Sequence, residues 1–428
     1  MDYRESVLFL DSLSEGKVCL GLENTRRILQ YFGNPQDKTP SIHIAGTNGK
    51  GSTAAFVASI LSSSGYRAGL YTSPHFFDVR ERIQIDRKMI TEDRFAGLTD
   101  VVRKAVELLK TSITYFEFVT VIAFLYFAEE GVDWGVLEVG LGGRLDATNL
   151  CNSRLSIITS ISLDHQAYLG FDLQRIAFEK ASIIRENGMV IADSQEDAVA
   201  NTIRDMAKNR RAELREFGKD FHAKRNFLGS KNQQMDFESK GRRLEALKIP
   251  LIGDHQVRNA GLAIDACGFL GTEENVTDNS VRRGLESTKW LGRLEIVGSF
   301  PTILLDGAHN LDSAKKLTIA IKEYFQYRRC IMVIAMMKDK PIEKIATILS
   351  SRADHFILTG LEYSRAMDPK ALGKIFKQCD KPIEIIEEIA YAVSLAKKMA
   401  GPGDLICVTG SLFTVAEARR ICIHDEFT

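Results

Sequence analysis

The sequence predicts an α/β fold. A larger, mainly parallel sheet carries a small antiparallel insert, and a second, smaller α/β domain follows. Three observations lead there. Apolar runs of strand length alternate with amphipathic runs of helical length over almost the whole chain. The alternation breaks once, between about Glu213 and Ile249, and restarts cleanly at Thr302. The 428 residues suffice for two or three domains of roughly 100–200 residues each.

In chain order, Ser41–Ala45 reads as a buried strand and Thr53–Ser64 as the helix after it. Arg67–Tyr71 is a second strand, Phe118–Glu130 a helix, and Trp134–Val139 and Leu155–Ser160 are further strands. In the break, the β-like runs Phe221–Leu228, Gln233–Phe237 and Leu244–Ile249 are separated by Gly, Ser, Asn and Lys, which suits short antiparallel strands. Helical patterns return at His255–Leu270 and Thr277–Ser287. The second domain has strand runs at Thr302–Asp306, Ile331–Met336, His355–Thr359, Ile383–Ile386 and Leu405–Thr409, a Rossmann-like layout. The linker is expected near Trp290–Ser299, with the domains at 1–292 and 293–428.

Bulk composition excludes several classes. Lys plus Arg equals Asp plus Glu, 56 each, so the chain is not a general polyanion binder, and no nucleic-acid partner is expected. The seven cysteines are odd in number and form no C-x-x-C pair, which points to a reducing, cytoplasmic setting. The opening MDYRESVLFLDSLSEG is no secretory signal, and no run approaches the roughly 20 apolar residues of a membrane span.

Residues 42–53 read I-H-I-A-G-T-N-G-K-G-S-T: strand, Gly-rich turn, Lys, hydroxyls, helix. Glycine backbones aim N–H groups at phosphate oxygens, and a helix N-terminus adds partial positive charge. Lys50 supplies a point charge for the β/γ phosphates, and Ser52 or Thr53 can face Mg²⁺. The spacing is not the standard Walker A, because Gly51 stands between the Lys and the Ser. The predicted nucleotide set is Gly46, Thr47, Asn48, Gly49, Lys50, Gly51, Ser52 and Thr53, which makes this P-loop-type domain an ATP site. Glu138 ends a strand before the Gly142–Gly143 turn, at the sheet edge where α/β ligands bind.

The loop G-T-N-G-K-G-S resembles that of the Mur ligase superfamily, and more narrowly the folylpolyglutamate synthase and dihydrofolate synthase family. The likeness continues through Y-T-S-P-H (71–75), F-E-F-V-T (116–120), L-E-V-G-L-G-G-R-L-D-A-T-N (137–149), D-H-Q-A-Y-L-G (164–170) and E-K-A-S-I-I (179–184). It goes on through D-H-Q-V-R-N-A (254–260), W-L-G-R-L-E (290–295), D-G-A-H-N (306–310) and T-G-S-L-F (409–413). The resemblance implies an ATP-dependent ligase. The substrate carboxylate becomes an acyl phosphate, and the amine of L-glutamate displaces phosphate. The acceptor is the glutamyl carboxylate of a reduced folate, or dihydropteroate.

By resemblance the metal ligands are Ser52, Ser73, Glu138, His165 and Lys180, for two Mg²⁺ ions, with Lys180 carbamylated. Lys50, His165, Lys180 and His309 are the implied catalytic residues, and Asn259, Arg293 and Asp306 further ATP contacts. Pro74, Arg82, Phe116, Phe118 and Ser411 are implied substrate contacts. Taken alone, several have plainer readings: His165 as a helix cap, Ser73 as a turn residue, Phe116 and Phe118 as core, and Arg80, Arg82, Arg87 and Lys88 as a solvated face. His43 reads as packed rather than catalytic. Leu291 and Leu311 stand where the family has Pro, and Phe413 where Tyr is frequent. A monomer acting on small molecules is expected. The competing readings are a Mur-type ligase acting on a cell-wall precursor and a nucleotide-binding regulator without a ligase step.

Overall fold

The computed structural model describes residues 1–13, 21–229, 232–270 and 275–424. It divides into two compact units. The first holds Met1–Phe227, Gln234–Pro250 and Gln256–Thr288; the second holds Leu228–Gln233, Leu251–His255 and Lys289–Thr428.

Eight strands form the main sheet of the first unit: β1 (Pro40–Ala45), β2 (Ala68–Tyr71), β3 (Ile83–Ile85), β4 (Lys88–Met89), β5 (Trp134–Glu138), β6 (Asn152–Ile158), β7 (Met189–Ala192) and β8 (Glu213–Glu216). Their order is β4-β3-β2-β5-β1-β6-β7-β8. All pairs from β2 to β8 are parallel, and β3 and β4 add an antiparallel edge. Strand β1 sits centrally, with Ile42, His43, Ile44 and Ala45 wholly buried. A continuous apolar run suits a strand covered on both faces.

The insert is the three-stranded sheet β9 (Phe221–Leu228), β10 (Gln233–Ser239) and β11 (Arg242–Ile249). Two residues, Lys240 and Gly241, join β10 to β11, too few for a parallel crossover, so this pair is antiparallel. The sequence reading placed the start of the insert at Glu213. The structure corrects this: Glu213–Glu216 completes the main sheet as its parallel edge strand.

The second unit has β12 (Glu295–Ser299), β13 (Thr302–Leu305), β14 (Cys330–Ile334), β15 (His355–Thr359), β16 (Ile383–Ile386) and β17 (Leu405–Thr409), ordered β12-β13-β17-β14-β15-β16. All pairs are parallel except β12 with β13. The expected linker therefore contains a strand, Glu295–Ser299. Its partly exposed side chains do not alternate cleanly, so its periodicity was weak.

The helix Lys50–Ser63 is buried along Gly51–Leu61, and it carries the phosphate loop at its N-terminus. Helix Asp278–Glu286 covers it by close backbone approach. A Cβ on Gly284 would lie 2.5 Å from Ile60 Cα, and Ser59 Oγ donates to Gly284 O at 2.7 Å. Gly284→Ala is therefore expected to lower stability by about 1–3 kcal/mol, as overpacking does. Urea unfolding of the variant checks this; an unchanged midpoint would show that the two helices separate freely.

Candidate active site

Strand β1 delivers the chain into the loop at Gly46. Its φ is 154°, and a Cβ there would collide with Thr159 Oγ1 just beyond β6. The loop is tied to the segment after β6. The Thr47 and Asn48 amides donate to Ser160 O at 2.8 and 3.3 Å, and Thr47 Oγ1 donates to Ser162 O at 2.9 Å. Those two amides are thus spent within the protein. The donors suited to an anion are the first-turn amides of Lys50, Gly51 and Ser52, which precede the first i→i−4 bond, Thr53 N–H to Gly49 O. Lys50 Nζ folds back onto Thr47 O at 3.2 Å.

Gly49, the N-cap, has φ 92°, and a Cβ on it would lie 2.6 Å from Asn259 Oδ1. Asn259 on helix Asp254–Leu270 therefore leans directly on the loop, and its amide nitrogen donates to Gln256 at 3.0 Å.

Lys180 ends helix Leu173–Ala181 and is 5% exposed. Its ammonium donates to Gly46 O at 2.8 Å. Burial, and then the charge of Lys50, push its pKa down to about 7. Asp164 and Asp146 pull the other way. Asp164 lies in D-H-Q-A-Y-L-G, yet it was not singled out; its place before His165 was the only signal.

Glu138 ends β5, opposite Ile44 of β1 in the pairing register, and accepts the Ser73 amide at 3.1 Å. The turn that follows docks on the end of the Lys180 helix. Arg144 N–H donates to Glu179 O at 2.9 Å, and a Cβ on Gly143 would meet the same carbonyl at 2.7 Å. The structure thereby gathers Gly46, Lys50, Lys180, Glu138 and Ser73 around the C-terminal ends of β1, β5 and β2. His165 opens the short helix Gln166–Leu169 in a left-handed conformation, φ 50°, and its amide donates to Asp164. Among the described residues no three or more His, Cys, Asp or Glu side chains gather as for a metal ion. One carboxylate, two serine hydroxyls and one imidazole offer too few protein ligands for a closed cage. They fit a hard cation that keeps waters and shares phosphate oxygens.

The implied substrate residues divide. Arg82 is 5% exposed; its Nε donates to His75 Nδ1 at 2.8 Å, and its guanidinium lies 5.0 Å from the centre of the Tyr115 ring. Burial and the Arg82 charge drive His75 down to about 3. Arg82 is therefore no solvated residue, whereas Arg80 pairs with Asp78 at 2.7 Å. Pro74 is exposed. Phe116 is half-buried and seals Gly140, whose Cβ would fall 2.6 Å from its ring. Phe118 is 0% exposed and packs edge-on against Phe9, 5.3 Å between ring centres. The expectation that Phe118 walls a ligand fails, because its ring is closed inside the core.

In the second unit, Asp306 follows β13. Its oxygens accept the Leu294 and Ala308 amides, both at 3.0 Å, and burial raises its pKa. Arg293 Nη1 donates to Gly292 O at 3.0 Å. His309 Nδ1 lies 2.8 Å from Gly307 O. A carbonyl only accepts, so Nδ1 is the donor in this bond. Ser411 Oγ caps helix Leu412–His424 by accepting the Thr414 amide at 3.0 Å, so a packing role absorbs it. Phe413 stacks on Tyr363, 4.7 Å between centres.

A phosphate loop, a buried lysine on its carbonyl and a strand-end glutamate, with a second α/β unit after them, define an ATP-dependent ligase of the Mur type. The Mur ligase middle domain matches residues 44–267, and the Mur ligase glutamate ligase domain matches residues 292–412. The chain belongs to the folylpolyglutamate synthase/dihydrofolate synthase family. It is 32% identical over 407 residues to the Bacillus subtilis dihydrofolate synthase/folylpolyglutamate synthase, covering 94% of both chains. It is 34% identical over 435 residues to a probable bifunctional folylpolyglutamate synthase/dihydropteroate synthase of Haloferax volcanii, covering 98% of this chain but about half (50%) of that one. Mycobacterium tuberculosis folylpolyglutamate synthase complexed with ADP and AMPPCP superposes with a TM-score of 0.92 at 30% identity, covering 98% of this chain and 99% of that one. The bifunctional Yersinia pestis enzyme complexed with AMPPNP and Mn ion gives a TM-score of 0.87 at 28% identity, covering 99% and 98%.

Gly49→Ala is expected to weaken ADP binding roughly tenfold or more, since it adds left-handed strain and displaces Asn259. Titration calorimetry with ADP checks it; unchanged affinity would detach Asn259 and the Gly49 turn from nucleotide binding.

Proposed function

We propose that this chain, an ATP-dependent ligase of the folylpolyglutamate synthase family, joins L-glutamate to the glutamyl carboxylate of a reduced folate. The observation that carries the reading is the convergence of Lys180, Gly46 and Glu138 at one end of the first sheet. Relatives that carry both the folylpolyglutamate and dihydrofolate synthase names extend the reading to dihydropteroate as a second acceptor.

In this reading the first-turn amides and Lys50 hold the β/γ phosphates, and Asn259 contacts the nucleotide. A carboxylate oxygen of the folate attacks the γ-phosphorus, and ADP leaves. The glutamate nitrogen then attacks the acyl carbon, phosphate departs, and the nitrogen loses a proton. Divalent metal, two Mg²⁺ in the cell, would spread the charge that develops during phosphoryl transfer. Ser52, Ser73, Glu138 and His165 would hold it. His309 would serve the incoming amine. Arg82 would meet the glutamate tail, with Pro74 and Phe116 flanking the folate. The six described cysteines are free thiols, which supports a reducing, cytoplasmic setting; Cys19 lies outside the described residues. No described helix is long and apolar enough to cross a membrane. The enzyme acts as a monomer in this reading.

Lys180 would act as its carbamate. A neutral amine adds CO₂, forming N–C and releasing one proton, and burial has already made this amine easy to deprotonate. The neutral fraction grows as pH rises through about 7, so carbamate should increase between about pH 6 and pH 8. A ¹³C carbamate resonance in ¹³C-bicarbonate, missing in Lys180→Gln, is the expected result; no resonance at the higher pH would remove the modification.

Phosphate release from ATP-Mg and L-glutamate tests the whole reading. Release with tetrahydrofolate is expected, and release with dihydropteroate as well would make the enzyme bifunctional. Release with neither would overturn the folate assignment. Glu138→Gln should cut kcat by about 100-fold while Tm stays within a few degrees, since it removes charge and keeps shape.

A further inference from the structure

Behind the Glu138 turn lies a buried chain of hydrogen bonds that ends at a histidine with no part in the chemistry above. Asp146 Oδ2 accepts the Leu141 amide at 2.8 Å, and Oδ1 accepts the Thr148 amide at 3.0 Å. Thr148 Oγ1 donates its proton to Asp146 Oδ1. His43 Nε2 lies 2.8 Å from that same hydroxyl oxygen. The hydroxyl's one proton is already given away, so Nε2 carries a proton and donates to Thr148 Oγ1. The order is fixed: His43 to Thr148 to Asp146 to the backbone of the turn.

His43 sits on β1 opposite Leu137, the residue before Glu138. It is wholly buried, and among the described residues its Nδ1 has no hydrogen-bond partner. An unpaired buried acceptor costs stability. An apolar side chain of similar size would fill the space without that cost, so packing does not account for an imidazole here. What the imidazole supplies is the Nε2 donor. The ring stays neutral, because it is buried and Arg185 stands nearby. Arg185 itself donates to Asn149 O and Cys151 O and holds the far end of the same turn.

We propose that His43, acting through Thr148 and Asp146, is a positioning residue that fixes the Gly140–Leu141 backbone and so aims the Glu138 carboxylate. The Phe116 ring packs directly against Gly140, so the same chain also fixes where that ring rests. The inference rests on the reading of Glu138 as a metal ligand.

The test is Mn²⁺ binding to the enzyme with AMPPCP, read by electron paramagnetic resonance per folded molecule, alongside kcat and the Mg²⁺ dependence. Thr148→Val and His43→Leu break the chain while keeping volume. Thr148→Ser keeps the hydroxyl, and His43→Gln places an amide nitrogen near the Nε2 position. The breaking variants should bind Mn²⁺ about tenfold more weakly, the scale of losing an outer-shell partner, with the conservative pair near wild type. A merely structural role would lower Tm in the breaking variants and leave Mn²⁺ affinity unchanged, and that result overturns the proposal. Should Thr148→Val fail to fold, His43→Leu and His43→Gln carry the same contrast. Glu138→Gln separates the two levels. If it abolishes Mn²⁺ binding while the breaking variants do not, the metal assignment stands and the relay falls; if it leaves Mn²⁺ binding intact, the assignment itself falls.

Discussion

The carbonyl of Gly46 is the pivot of the first unit. It accepts the buried amine of Lys180, and it stands where β1 turns into the phosphate loop. No side chain fits at this residue because Thr159 fills the space, so loop and neighbouring strand are locked together. The loop then has one position relative to β6, and the helix behind it inherits that position. An amine is attached to that carbonyl rather than left in water, so it is desolvated. Desolvation makes it a weaker base. The anchoring of the loop and the lowered basicity of Lys180 therefore have one cause.

Charge around this pivot is arranged with little surplus. Lys50 and Lys180 share the loop and repel, and Asp164, Asp146 and Glu179 offset the repulsion. Burial and the Lys50 charge still outweigh those carboxylates, since the Lys180 pKa is pushed down to about 7. A polyphosphate supplies an anion, and a carbamate would convert one cation into a second anion. Either change places negative charge beside the two amines.

The motifs of this site were legible because each needs particular residues at fixed spacing. Glycine is required at Gly46 and Gly49 by backbone conformation and crowding, so the loop announced itself. Side-chain direction was less legible. Phe116 and Phe118 lie in one string, but two residues on a helix point to different faces. One reaches Gly140 and the other the core, and the sequence alone does not say which. Edge strands were hard for another reason. Glu213–Glu216 and Glu295–Ser299 are short and half-exposed, so they lack the apolar run that marked the central strands. Ser411 drew notice for its string, yet its hydroxyl serves the backbone. His43 looked like a packing residue because its partner lies 105 positions away.

Asp146 and Asp306 show one device used in each unit. Each carboxylate accepts the amide two residues on, at 3.0 Å, and a second amide from elsewhere in the backbone. Burial raises the pKa of both, and the amide bonds work against that rise. Each makes a Gly-containing turn rigid, one after Glu138 and the other before His309. The difference lies in what remains. Asp146 also accepts a hydroxyl from Thr148, a third internal partner. A carboxylate has about four acceptor sites, and two of those on Asp306 are taken by backbone amides. It can therefore take a ligand donor without releasing its turn. Being an acceptor, it suits a hydroxyl or amino donor and is repelled by a phosphate oxygen.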